Sequence, residues 1–133
     1  MANEAICIET PTKFARYTVA DGTGIAIGTI LALTDPNTAV AHSADAEEFA
    51  GIAWEEKTAS DGIVEITAAI DGIWDIKDGG GTCSVGDVLC LDNTPNTFRP
   101  SIAGDLLTGT TFGKALEAAG ASEIIRVRVG SII

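Results

Sequence analysis

Ile27-Gly28-Thr29-Ile30-Leu31-Ala32-Leu33-Thr34-Asp35 returns later in the chain as Val85-Gly86-Asp87-Val88-Leu89-Cys90-Leu91-Asp92-Asn93, at an offset of 58. Each copy runs into a Pro/Asn/Thr turn, Asp35-Pro36-Asn37-Thr38 in the first and Asn93-Thr94-Pro95-Asn96-Thr97 in the second. Further on, Ala50-Gly51-Ile52-Ala53-Trp54-Glu55 is echoed by Phe112-Gly113-Lys114-Ala115-Leu116-Glu117. A gap then leads in both copies to an alternating segment, Ile63 to Thr67 and Ile124 to Val129. Three blocks in one order define an internal duplication of about sixty residues.

The repeated unit reads as β-structure. Ile and Val total 23 against 7 Leu, with 15 Thr, a β-branched excess that suits pleated surfaces. Turn clusters punctuate the chain every eight to twelve residues or so, the spacing of an all-β sandwich or barrel. In Ile124 to Val129, strict alternation puts Ile125, Val127 and Val129 on the core face and Arg126 and Arg128 on the outer one. Asp61-Gly62 and Asp71-Gly72 are hairpin-type dipeptides. Helix is confined to single turns at Ala44 to Phe49 and Ser101 to Leu107. The expected fold is therefore mainly β, a compact barrel or sandwich built from two degenerate repeats. Repeat one spans about 17–77, a glycine-rich joint 78–82, and repeat two 83–133. Residues 1–16 lie outside both and read as an extended N-terminal arm or loosely attached edge segment.

With 133 residues, the chain is the size of one domain. Eight Lys plus Arg against nineteen Asp plus Glu give a net charge of −11, which argues against nucleic acid and anionic membranes as partners. At 46% hydrophobic and 20% charged, it is no acidic disordered tail. No run suits a membrane-spanning helix, and MANEAICIET carries no secretory signal. Cys7, Cys83 and Cys90 lack metal-ligand spacing and read as free thiols, so no metal is expected.

Catalytic constellations are weak throughout. His42 has Ser43 and Asp45 beside it in sequence, but a triad converges from separate elements, so a solvated loop histidine is expected. Glu47-Glu48 and Glu55-Glu56 are adjacent carboxylates that a strand would send to opposite faces. Asp78-Gly79-Gly80-Gly81-Thr82 lacks the Lys-Ser/Thr of a phosphate loop. Asp92 to Asn96 lacks calcium-loop spacing. The expectation is a protein with no catalytic residues, no cofactor and no small-molecule substrate.

The blocks Val85 to Leu89, Phe112 to Ala118 and Ile124 to Val129, with their counterparts in the first half, resemble the capsid cement or head decoration proteins of tailed bacteriophages over about residues 16–129. The resemblance implies a small β-barrel or "β-tulip" fold and a virion protein, made in the host cytoplasm and seated on the outer capsid surface. It implies homotrimers at threefold and quasi-threefold positions, bound to the major capsid protein and stabilising the head against packaged DNA. It also implies an N-terminal arm that pairs with the capsid; Ile6, Ile8, Pro11, Phe14 and Arg16 are its candidate contacts. Interface candidates are Trp74, Trp54, Arg126 and Arg128, with Trp74 favoured as the interface tryptophan. The alternative is another β-rich virion or surface module that binds a host receptor or carbohydrate.

Overall fold

The computed structural model describes residues 3–130. Its elements are β1 (Ile6–Glu9), β2 (Phe14–Thr18), β3 (Ile30–Asp35), β4 (Thr38–Ala41), β5 (Phe49–Ala53), β6 (Glu65–Ala69), β7 (Gly72–Asp78), β8 (Val88–Leu91), β9 (Thr97–Pro100), α1 (Ala103–Thr108), β10 (Thr111–Ala115) and β11 (Ile124–Val129). The fold is all-β, as the β-branched composition predicts. The helical turn expected near residue 101 forms as α1; the stretch 44–49 makes a turn and enters β5 instead.

The duplication is visible strand by strand. In the first copy β2-β4-β3-β5-β6 close into a barrel. In the second, β7-β11-β10-β8-β9 run in order and β9 returns to pair with β7. β2 lies antiparallel to β6 and parallel to β4; β7 lies antiparallel to β11 and parallel to β9 in the same way. Individual hydrogen bonds repeat. Gly28 N–H donates to Ala53 C=O at 2.9 Å, and Gly86 N–H to Ala115 C=O at 2.8 Å. Asn37 and Asn96 hold left-handed φ of 55° and 61° at the tips of matching hairpins.

The repeat boundary differs from the expected one. β7, placed in repeat one by its sequence position, is the first strand of barrel two. The units meet at Ile70-Asp71, and the glycines at 79–81 lie in the β7–β8 connection within barrel two. The reason is that each unit begins with the strand before its loop, so the most glycine-rich loop is internal to a barrel. The matched offset also grows, from 58 at Gly28/Gly86 to 62 at Glu55/Glu117, because the second copy carries α1 between β9 and β10.

Each barrel has apolar filling, and the two share a core. Barrel one packs Val19, Ile25, Leu31, Ala39, Ala50, Ala53, Ile66 and Ala68. Its Ile30, Ile52 and Ala69 join instead the larger cluster of barrel two, around Trp74, Ile76, Leu89, Leu91, Phe98 and Phe112. The outer face of β3-β5-β6 is thus the contact between barrels.

Gly28 and Gly86 share φ of +89°, a region L side chains rarely adopt, yet their surroundings differ. A Cβ on Gly28 would lie within van der Waals overlap of the Ala5 carbonyl oxygen, whereas one on Gly86 would meet nothing within 4 Å. The Ala5 N–H bonds Gly28 C=O at 2.8 Å, leading into β1. Gly86→Ala is expected to cost about 1 kcal/mol, from backbone strain alone. Gly28→Ala is expected to cost about 2–3 kcal/mol, since it also displaces that lead-in and its hydrogen bond. Urea midpoints of the two variants measure the gap.

Candidate binding surfaces

The N-terminal segment is already built into the molecule. β1 pairs antiparallel with β7, Ile6 opposite Asp75 and Cys7 opposite Trp74, at the end of the six-stranded order. Ile6 is 61% exposed, Ile8 half-buried, and Cys7 packs toward the core. Pro11 is buried, while Phe14 and Arg16 belong to β2 inside barrel one. The edge-strand description fits; an arm that waits for a partner before ordering does not, because β7 already supplies the pairing. Residues 1 and 2 lie outside the described ones.

The tryptophans exchange roles. Trp74 is 1% exposed, with its Nε1–H donating to Asp71 C=O at 3.0 Å, so it is core. Alternation in β7 turns Trp74, Ile76 and Asp78 inward and Ile73, Asp75 and Lys77 outward. Trp54, 37% exposed, is the surface tryptophan. It stands between Phe14, with ring centroids 5.4 Å apart, and Trp74, at 6.0 Å and near-perpendicular. This aromatic row connects the core to an exposed Phe14 and brings together three residues that the sequence only lists separately.

Beside it, Arg16 reaches Thr67 Oγ1 at 2.6 Å and lies 3.5 Å from Glu65 and 3.7 Å from Glu55. Glu55 accepts the Thr67 N–H at 2.8 Å, and Glu117 accepts the Arg126 N–H at 2.8 Å. The backbone N–H and hydroxyl of Thr67, with Arg16, hold the Glu55 carboxyl below its usual range. These glutamates end the repeated motif because each ties β5 to β6 or β10 to β11. An identical Glu closing two otherwise divergent blocks was the signal for this role.

On the opposite copy, Arg126 and Arg128 project from the outer face of β11, while Ile125, Val127 and Val129 are buried. Arg128 also lines an open cleft of about 650 Å³ with Lys13, Glu9, Asp71 and Ile73. A second apolar feature is α1 with its N-cap residue Ile102: Ile102, Leu106 and Leu107 are 69%, 54% and 89% exposed.

His42 is not a solvated loop residue. It is fully buried between the barrels, with Nδ1 accepting the Asn96 N–H at 3.2 Å and Nε2 2.5 Å from Asp92 C=O. Since Nδ1 accepts, the hydrogen sits on Nε2. Asn96 Oδ1 in turn accepts the Ile30 N–H at 2.8 Å. Glu47 caps the Ser43 and Ala44 N–H groups. Asp78 is buried, and burial raises its carboxyl above the usual range. Among the described residues no group of three or more His, Cys, Asp or Glu is placed to hold a metal. The three cysteines are unpaired, and burial pushes the Cys90 thiol up to about 12.

α1 is fastened by charge. Arg99 bridges Asp45 at 2.6 Å and Asp105 at 3.0 Å, and Asp105 accepts the Ile102 N–H at 2.8 Å. That backbone bond first, then Arg99, hold the Asp105 carboxyl below its usual range. A depressed folded pKa stabilises above the unfolded value and is lost as pH falls through the folded one. Asp105→Asn is therefore expected to lower stability at pH 7 by about 1–3 kcal/mol. The gap to the wild type should close below about pH 4 in thermal melts.

Paired, pseudo-equivalent five-stranded barrels sharing one core define an all-β tandem-barrel architecture. Among solved structures it is similar to the head fiber gp8.5 N base of bacteriophage phi29, with a TM-score of 0.56 and 18% identity, over 91% of this chain and 98% of that one. No family model matches the chain, and no curated protein matches it.

Proposed function

We propose that this chain is a structural virion protein, a decoration or cement protein of a tailed-phage head. In this reading it sits on the outer capsid surface at threefold and quasi-threefold positions, as a homotrimer bound to the major capsid protein. It acts by binding, with no enzymatic activity and no cofactor, and its added contacts resist the pressure of packaged DNA. The observation that carries the reading is the tandem-barrel likeness to a phage head fiber base over nearly the whole of both chains. The sequence blocks that resemble head decoration proteins point the same way, since those blocks form β8, β10 and β11. A threefold contact is heterologous and closes on itself, so one patch of each copy meets a different patch of the next.

A second reading follows from the neighbour's being the base of a fiber: the chain seats a projecting structure on the head rather than bracing the shell. Cryo-electron microscopy of undecorated heads mixed with the chain tests both. Density at local threefolds, with heads that survive more heat, supports decoration. Density without added head stability supports the base reading, and unbound heads at saturating protein reject both.

A further inference from the structure

The outer face of β7-β11-β10 carries an unusual charge for this molecule. Lys77 on β7, Arg126 and Arg128 on β11 and Lys114 on β10 hold four of the chain's eight cations. Register makes them neighbours: Ile124 opposite Lys77, Arg126 opposite Asp75, and Arg128 opposite both Ile73 and Lys114. Asp75 stands opposite Arg126, the Glu117 carboxylate accepts the Arg126 N–H at 2.8 Å, and Glu9 lines the cleft at the edge of the face. None of the four makes an ion pair among the described residues, whereas Arg16, Lys57 and Arg99 all do. Arg128 Nε is shielded from solvent with no acceptor among the described residues. Barrel one, by contrast, carries nine carboxylates and two cations over residues 14–69, a charge of 2 − 9 = −7.

The duplication sharpens the contrast. Lys114 opposite Arg128 is the counterpart of Ile52 opposite Ala69 in barrel one. Ile52 and Ala69 are fully buried because barrel two covers them. At the matching positions of barrel two, Lys114 and Arg128 stand half-buried as cations in place of buried apolar contacts.

We propose that this face docks a carboxylate-rich protein surface, that of the head protein the chain decorates. The proposal rests on the decoration reading and adds which face meets the head. Four unpaired cations on a chain of −11 give an acidic partner one approach without repulsion, and so fix orientation. A second copy offering its acidic barrel one is the competing occupant, and self-association measurements separate it from the head.

The test titrates undecorated heads with three full-length proteins: wild type, Lys77→Gln/Lys114→Gln/Arg126→Gln, and Ala20→Glu/Thr23→Glu/Thr34→Glu. Both variants shift net charge by −3, and thermal melts verify that each is folded. The glutamine variant is expected to bind about tenfold or more weakly and to lose most of the wild type's salt dependence. The glutamate variant is expected to stay within about threefold. Equal binding by the glutamine variant and wild type overturns the proposal, as does equal loss in both variants. If wild type itself ignores the heads, the decoration reading fails, and the same three proteins are titrated with poly-L-glutamate and with duplex DNA. Capture of polyglutamate that only the glutamine variant loses supports an acidic protein partner. Tighter capture of DNA overturns it, as does salt-sensitive self-association in sedimentation that the glutamine substitutions abolish.

Discussion

Trp74→Ala is expected to cost about 3–5 kcal/mol, a large part of the 5–15 kcal/mol that holds a typical domain together. The side chain is 1% exposed, among the largest fully buried in the chain, and sits in the cluster that joins both barrels. Its loss removes the edge contact with Trp54 and frees the Asp71 carbonyl from its indole donor. Asp71 also accepts the Thr12 and Lys13 N–H groups, so the β1–β2 connection loosens with it. Urea unfolding followed by far-ultraviolet circular dichroism gives the value. Loss of association with unchanged stability would return Trp74 to the interface role its sequence position suggests.

His42→Ala is expected to cost about 4 kcal/mol, through a cavity and two orphaned polar groups. The buried Asn96 N–H loses its acceptor and the part-buried Asp92 carbonyl its donor. Because Asn96 also holds the Ile30 N–H, the damage reaches β3 of the other barrel. Denaturant unfolding is expected to show the loss, and His42→Gln, which keeps a donor and an acceptor, should recover part of it. Nitrogen chemical shifts of the ring report the Nε2–H tautomer independently.

Much of this architecture is legible in the sequence because repetition and alternation are local signals. The Gly28 and Gly86 blocks mark β3 and β8, and the period-two pattern of Ile124 to Val129 assigns core and solvent faces correctly. What is hidden depends on closure. β7 reads as the tail of repeat one until β9 and β11 return to pair with it, and Trp74, opposite Val127 of β11, turns inward in that sheet. His42 looks like a loop residue because its partners, Asp92 and Asn96, are fifty residues away. The segment 6–9 reads as an arm because nothing in its four residues names β7 as its mate. Of the candidate contacts, Ile6, Phe14, Trp54 and Arg126 stand at the surface, while Pro11 and Trp74 do not.

The strand order also sets a timetable. β1 leaves the ribosome before barrel one, yet its partner β7 begins at residue 72, after all of barrel one. During synthesis, barrel one has every strand it needs while β1 still presents two bare edges. Its loop to β7 spans all of barrel one, and the entropy of that closure falls on the newborn chain. In a crowded polysome the same bare strand from one nascent copy can enter the β7 slot of another. Dilution and rapid completion of barrel two thus decide between a self-contained molecule and an exchanged pair.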